Sequence, residues 1–598
     1  MNSEARDCQN CHGSFVIEPE DFGFYEKIKV PPPTWCPKCR ARRRFMWRSE
    51  NALYWRKSDY SDKLIFSGFS PKSSVKVYEN EVWFSDKWDP LEYGQEYDFS
   101  RPFLDQFSDL LRKVPLMSLS VLRAVQSDYC NWVTAPKNCY LIFNTTDAEN
   151  CAYGNAVNKC RDCVDNSHLM KCELCYESFW LTQCSRVLFS SQCEDSTDIY
   201  FSKNLYGCNN CFGCVNLRNK SYHIWNQPYS REEYTKKLAE FNLGSSVAVA
   251  RLRAEAHRFH LGFPNKFMEG TKNVNVSGEY ISNSKDIRAS YLGKEGENLR
   301  YCQYLSSPPS KDCWDQTAFG DNSQLNYECV VCGVGAHNLR FCWWCWPDVR
   351  DVQYSVLCGS SADLFGCISL RKKQYCILNR QYTKSEYEAL LPKIIAHMDA
   401  MPYTDKRGKT YPYGEFFPAE LSPFGYNETV AQEHWPLTRQ EAEAQGYVWR
   451  ESKEKNHQIT LAPADLPDHF RDIPNEVSNE VIGCAHNGKC NHQCATAFKI
   501  IPQELQFYKK MELPLPRLCP NCRRAERLAQ RHSLGFFYRQ CGCAGLTSLP
   551  QADTDYAYKN IALHDHGTSP CPNEFETSYA SGRPEIVYCE QCYNREVV

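Results

Sequence analysis

The chain of 598 residues contains no run of about 18 apolar residues, the length a helix needs to cross a bilayer, so it carries no membrane span of that kind. The opening "MNSEARDCQNCHG" has no apolar core and argues against a secretory leader, which points to the cytoplasm. Charge of one sign is scarce as well. The 69 Lys and Arg against 72 Asp and Glu leave a net charge of −3, so no global polyanion-binding signature exists. No P-loop, no G-x-G-x-x-G after a strand, no G-x-S-x-G and no H-E-x-x-H is present. No Cys–His pairing marks an activated thiol. Together these absences favour a binding protein over an enzyme. A glycan-acting enzyme using carboxylates such as those of "CEDSTD" (Cys193 to Asp198), or a thiol enzyme, is the less favoured class.

What is abundant is cysteine. Thirty-five cysteines in a reducing compartment cannot be a disulfide framework. They are metal ligands or small buried apolar residues, and the two roles divide the chain.

The metal role shows in a repeated stretch. Residues 11–40, "CHGSFVIEPEDFGFYEKIKVPPPTWCPKCR", recur as residues 494–523, "CATAFKIIPQELQFYKKMELPLPRLCPNCR", at a constant offset of 483. In the first copy Cys8, Cys11, Cys36 and Cys39 form C-x2-C…C-x2-C, the spacing that lets two turns complete a tetrahedral Zn²⁺ shell. A short hairpin is expected between the turns and a helix after the second, the order of a treble-clef finger. Four cysteines leave no open coordination position, so the site is structural. In the second copy the expected ligands are Cys490, Cys494, Cys519 and Cys522, with Cys484 and His492 as substitutes or outer groups. A third module offers Cys571, Cys589 and Cys592, its remaining ligand coming from Cys541, Cys543, His564 or His566. Three structural Zn²⁺ ions are therefore expected.

The packing role shows in a rhythm. Cys130, Cys151, Cys172, Cys193 and Cys214 are spaced by 21, and Cys139–Cys160 and Cys163–Cys184 repeat that step. A fixed period without patterned leucines suits a β-helix whose coils stack small side chains, with additional metal or Fe–S sites as the alternative. "FGCVNLRNKSYHIWNQPYSREEY" (residues 212–234) returns as "FGCISLRKKQYCILNRQYTKSEY" (residues 365–387), so the solenoid is duplicated. Steps of 21 back from Cys367 give Trp346, Leu325 and Tyr304 as inward positions. Ser230-x-x-Glu233, Thr383-x-x-Glu386 and Thr438-x-x-Glu441 are capping boxes, the first two starting helices that cover the stacks. An amphipathic helix is expected around Phe103, Phe107, Leu110 and Leu111.

Local charge differs from the total. Arg40, Arg42, Arg43, Arg44 and Arg48 follow the first finger, and Arg523, Arg524, Arg527 and Arg531 the second. Arginines on a rigid finger, with Phe45 and Trp47 interleaved, suit phosphate contact and base stacking, so RNA or DNA is the first expected partner. The alternatives are a solvated or intramolecular arginine face and a scaffold that binds proteins on the solenoid.

The segments "PEDFGFYEKIKVPPPTWCPKCRARRR", "SDKWDPLEYGQEYDFSRPF", "SPFGYNET" and "CPNEFETSYASGRPEIVYCEQCYNREV" make the chain similar to an uncharacterised multi-zinc-finger (zinc-ribbon or treble-clef) family of candidate-phyla, Patescibacteria-type bacteria. The resemblance implies zinc binding. That family tends to carry a cysteine near the position of Lys57.

The expected fold is mainly β with short helices: treble-clef fingers at both ends flanking a duplicated right-handed β-helix-like solenoid with helical caps. The boundaries are a finger at 1–50, an aromatic-rich connector at 51–125, solenoid units at 126–265 and 266–400, a Pro- and aromatic-rich linker at 401–480, a second finger at 481–535 and a third zinc module at 536–598.

Overall fold

The computed structural model describes residues 2–305, 308–451, 457–549 and 556–598. Among them the chain is mainly strands, with twelve short α-helices. It forms two compact units. One joins residues 1–119, 268–450 and 534–536; the other joins 120–267, 451–533 and 537–598. In each, a cysteine module is packed on a parallel ladder from a distant part of the sequence.

The ladder of residues 121–228 has a repeat of twelve residues. Strands Asn131–Thr134, Phe143–Thr146, Asn155–Asn158, Ser167–Met170 and Phe179–Thr182 pair in parallel, as in Asn131↔Phe143 and Ser167↔Phe179. Within one repeat the chain meets the next at four places three residues apart: Asn131↔Phe143, Thr134↔Thr146, Lys137↔Glu149 and Tyr140↔Ala152. The true unit is thus a triplet. One residue pairs and the next takes left-handed φ, as at Trp132, Ala135, Asn138 and Leu141 (φ between 50° and 57°). The third points inward, as at Cys130, Val133, Cys139, Ile142 and Thr145, all buried. The frequent Asn and Asp in the sequence now have a physical reason, because their short polar side chains tolerate the left-handed region best. The cysteines have one too. A ring of only twelve residues encloses little space, and rungs stacked about 4.8 Å apart leave room only for small or slender inward side chains.

The period of 21 is therefore corrected. It is seven triplets, so Cys130, Cys151, Cys172, Cys193 and Cys214 all point inward but lie on successive sides of the ladder. The cysteines that stack are twelve apart: Cys139, Cys151, Cys163 and Cys175.

The ladder of residues 270–381 is built alike, with interruptions. Lys285 pairs with Glu297 twelve residues on, Leu299 with Cys313 fourteen on, Trp314 with Tyr327 thirteen on, and Ala362 with Gln374 twelve on. These extra residues break the 21-residue extrapolation. Leu325 and Tyr304 take left-handed φ (58° and 62°) and are only half-buried, as is Trp346; the inward residues are Cys329, Cys332, Cys342, Cys345, Cys358, Cys367 and Cys376.

Each ladder closes on an antiparallel strand and a capped helix. Ser230 Oγ accepts from Glu233 N at 3.2 Å at the start of Arg231–Glu240, and Thr383 Oγ1 accepts from Glu386 N at 3.3 Å at the start of Lys384–Ala400. Phe241, just past the first of these helices, stacks on Phe212 with centroids 3.9 Å apart. The helix Phe103–Lys113 buries Phe103, Phe107, Leu110 and Leu111, and Phe103 packs 5.0 Å from Phe365.

Burial sets the chemistry of the ladder thiols. It pushes Cys163 up to about 11 and Cys313 up to about 12, so both are neutral at physiological pH. Iodoacetamide is expected to leave them unmodified until the ladder unfolds; labelling of Cys163 in the native protein would contradict this. Overpacking gives a second check. Cys163→Phe is expected to cost about 1–3 kcal/mol or more in a denaturant melt, against less than about 0.5 kcal/mol for Lys159→Ala on the exposed side.

Candidate metal centres

The first module is assembled by strands Glu4–Asp7 and Ser14–Ile17, antiparallel, and two helices, Pro19–Lys27 and Pro37–Phe45. Between the knuckles stand the strand Ser14–Ile17 and then a helix, in place of the expected hairpin. Pro19 fits the first helical turn and Asp21 reaches back to the Glu18 N–H at 3.2 Å, so the local sequence favours helix. The second module repeats this with strands Ile482–Gly483 and Ala497–Phe498 and helices Pro502–Lys510 and Pro520–Leu528. In both, the last knuckle opens a helix with proline at its first turn, which aims the second cysteine of the pair at the cluster.

Cys8, Cys11, Cys36 and Cys39 bring their sulfurs within 4.8 Å of one another, with Cys11 and Cys36 at 3.8 Å. Sulfurs bound tetrahedrally at 2.3 Å from one zinc would stand about 3.8 Å apart, so the group fits a metal ion. Its electrostatics fit as well. Hydrogen bonds from the Cys36 and Cys39 thiols hold Cys8 far below the usual thiol range, placing a thiolate among donors that a cation would displace.

In the second module the tetrad is Cys484, Cys494, Cys519 and Cys522. Cys490, expected beside Cys494, Cys519 and Cys522, stands outside this tetrad, and Cys484 takes its place. The strand Ile482–Gly483 carries Cys484 to the place that Cys8 holds in the first module, and Cys490 lies further along the same loop. Cys490 gathers instead with His486, His492 and Cys522. In the third module Cys541 completes the set with Cys571, Cys589 and Cys592, while Cys543, His564 and His566 form a second group with Cys592. Among the described residues five such groups exist, where the sequence led to three, and none includes a ladder cysteine.

The arginines lie elsewhere than in solvent. Arg40, Arg43 and Arg44 are 2% exposed or less. Arg40 donates to Asp315 Oδ2 at 2.7 Å, Arg44 to Asp315 Oδ1 and Glu328 Oε2, both at 2.9 Å, and Arg43 to Glu328 Oε1 at 3.0 Å and Glu415 Oε2 at 2.9 Å. Three cations thus meet three carboxylates, two of them on the ladder on which the finger packs. The second finger does the same with Arg523 and Arg527, which bind the two oxygens of Asp165 at 2.5 and 2.8 Å. Arg523 also donates to Glu504 Oε1 at 3.2 Å. Arg48, Arg524 and Arg531 are buried too. Arg42 is half-buried, its guanidinium 5.1 Å from the ring centroids of Tyr426 and Tyr447. The intramolecular arginine face is what the geometry realises.

Sequence reasoning missed Asp315, Glu328, Asp165 and Glu504. One signal was available: at the offset of 483, Arg40, Arg44 and the acid Asp21 recur as Arg523, Arg527 and Glu504. Asp21 accepts from Trp314 Nε1 at 2.9 Å, so both acids anchor their helix to a ladder-side neighbour. The acids of "CEDSTD" pair along the ladder, Asp195 accepting from Gln183 at 2.7 Å and Asp198 lying 3.3 Å from Arg186.

No family model matches the chain, and no curated protein matches it. A solved structure described as a "putative acetyltransferase" from Desulfovibrio desulfuricans G20 is 10% identical over 50% of this chain and 84% of its own length, with a TM-score of 0.08, and carries no argument. No helix among the described residues is long and apolar enough to cross a membrane.

Asp315→Asn is expected to destabilise its unit by about 3–5 kcal/mol in a denaturant melt, because it strands buried guanidiniums. A loss under about 1 kcal/mol would show the pairs to be solvated. Chelation followed by alkylation and mass spectrometry is expected to label Cys8, Cys11, Cys36 and Cys39 before any ladder cysteine; the reverse order would refute the metal assignment.

Proposed function

We propose that the chain is a zinc-binding, non-enzymatic scaffold of the cytoplasm, in which treble-clef fingers clasp β-solenoids whose outer sides receive protein partners. The reading places it with the multi-zinc-finger proteins its motifs resemble. Zinc is favoured by all-thiolate and thiolate–imidazole donor sets in closed groups of four. The single observation that carries the scaffold reading is the burial of the finger arginines against ladder carboxylates. Phosphate recognition needs free guanidiniums, and these are spent inside the protein. The exposed ladder side is charge-compensated, with Lys137–Glu149 at 2.7 Å and Arg161–Glu173 at 2.6 Å on successive rungs. Such a side suits a mixed-charge protein surface better than a polyanion.

The zinc-loaded full chain, titrated with single-stranded RNA and duplex DNA between about 50 and 200 mM salt, is expected to show no salt-dependent affinity. A steep slope that flattens in Arg42→Ala would overturn the proposal in favour of nucleic-acid binding. A partner that crosslinks to residues 137–173, survives nuclease and is released by Lys159→Glu with Lys171→Glu would support it.

A further inference from the structure

We propose that the second and third modules each hold two metal ions bridged by one thiolate, Cys522 in the second and Cys592 in the third. The inference rests on the zinc reading above and deepens it.

A tetrahedral ion takes four donors, and each of these modules gathers seven: five cysteines and two histidines. Both sets divide into two groups of four that share one cysteine. The shared residue is the second cysteine of the knuckle that opens the last helix, Pro520–Leu528 or Glu590–Val597. The helix N-terminus favours the negative charge of a bridging thiolate. Its sulfur faces both groups: Cys522 Sγ lies 3.9 Å from Cys484 Sγ on one side and 3.6 Å from Cys490 Sγ on the other. Cys592 Sγ lies 3.4 Å from His566 Nε2.

The order of donors along the chain is the same in both modules. One ligand of the thiolate group comes first (Cys484, Cys541), then three of the mixed group (His486, Cys490, His492; Cys543, His564, His566). Two more of the thiolate group follow, and the bridge comes last. Cysteine and histidine exchange places within the mixed group, yet the composition is unchanged. A chance gathering of thiols would preserve neither.

The imidazoles are oriented for a metal. His564 Nε2 is 2.9 Å from Glu596 Oε1, and Glu596 is itself fixed by the N–H groups of Ile561 and Ala562 at 2.9 and 3.1 Å. His566 Nδ1 is 2.6 Å from the Ser569 carbonyl, leaving Nε2 toward Cys592. In the second module His486 Nε2 is 3.8 Å from Glu526, and the Nδ1 atoms of His486 and His492 are buried without a hydrogen-bond partner. Burying such a nitrogen unpaired is unfavourable, and a metal bond would offset that cost. Glu526 and Glu596 each stand four residues after the bridging cysteine; the carboxylate–imidazole hydrogen bond is made at Glu596, while Glu526 stands near His486 without bonding it. The first module supplies the contrast. Four residues after Cys39 stands Arg43, turned to the ladder, and Cys39 Sγ accepts from Asn10 Nδ2 at 3.2 Å. No second group forms there among the described residues.

The test is metal stoichiometry of the full chain, by elemental analysis and native mass spectrometry after zinc loading. Five ions per chain are expected, one for each group. His486→Ala with His492→Ala is expected to lower the count to four, and His564→Ala with His566→Ala likewise, with the circular dichroism spectrum unchanged. In the cadmium-113 protein two scalar-coupled pairs are expected, each through its shared sulfur. Three ions in the wild type, or histidine variants that keep the wild-type count, would overturn the second sites. Five ions without a coupled pair would overturn the bridge. A chain that retains no metal would instead overturn the zinc reading beneath both.

Discussion

The structure depends on a charge pair that water does not reach. In each unit two arginines one helical turn apart close on the two oxygens of a single aspartate, Arg40 and Arg44 on Asp315, Arg523 and Arg527 on Asp165. Each aspartate sits at a left-handed position of its ladder, φ 52° and 57°, so its carboxylate stands out from the rung toward the finger. Burial alone pushes Asp315 toward the neutral acid, and the guanidiniums of Arg40 and Arg44 oppose it. Isolated, either partner is expensive to bury; together they fix where the finger lies, a specificity that an apolar contact of the same area would not impose. The apolar contact is present beside it: Phe24 stacks on Trp314 at 3.9 Å in one unit, and Phe507 packs on Tyr176 at 5.9 Å in the other.

A metal ion in each thiol group would let so small a module present its arginines rigidly. Helices of nine residues, such as Pro37–Phe45 and Pro520–Leu528, are marginal alone. Tying the first turn of each to a distant knuckle removes most of the freedom it would otherwise keep. The cysteines therefore act in two opposed ways within one chain. Gathered at knuckles they form groups that could hold a metal ion, with Cys589 drawn down to about 4 by the Cys541 thiol. Lined up in the ladders they are inert filling, held neutral by burial.

How much of this was legible differs by feature, for physical reasons. C-x2-C pairs are local, so Cys8, Cys11, Cys36 and Cys39 could be read directly. The choice between Cys484 and Cys490 could not, because it depends on which end of one loop the strand pairing holds in place. The ladder was recognised from its thiols but with the wrong step. In a triplet repeat every multiple of three looks periodic, and only the pairing Asn155↔Ser167 reveals that twelve residues complete a rung. Whether the arginines face solvent, a phosphate or a buried acid is not legible in the sequence, because their partners are far away; Arg44 and Asp315 are 271 residues apart. Charge is visible in a sequence, whereas burial is a property of the whole fold.

The triplet also constrains how such a gene can change length. Removing twelve codons deletes one rung and leaves every later side chain facing as before. Removing three keeps inward residues inward but turns the rest of the ladder by a quarter, so Asp165 would no longer lie beneath Arg523. Removing one or two turns thiols outward and polar residues in. The ladder of residues 270–381 shows that single extra residues can be absorbed at a corner, as between Trp314 and Tyr327. Growth by whole rungs leaves the clasp intact, and this makes the repeat number the freest variable of the architecture.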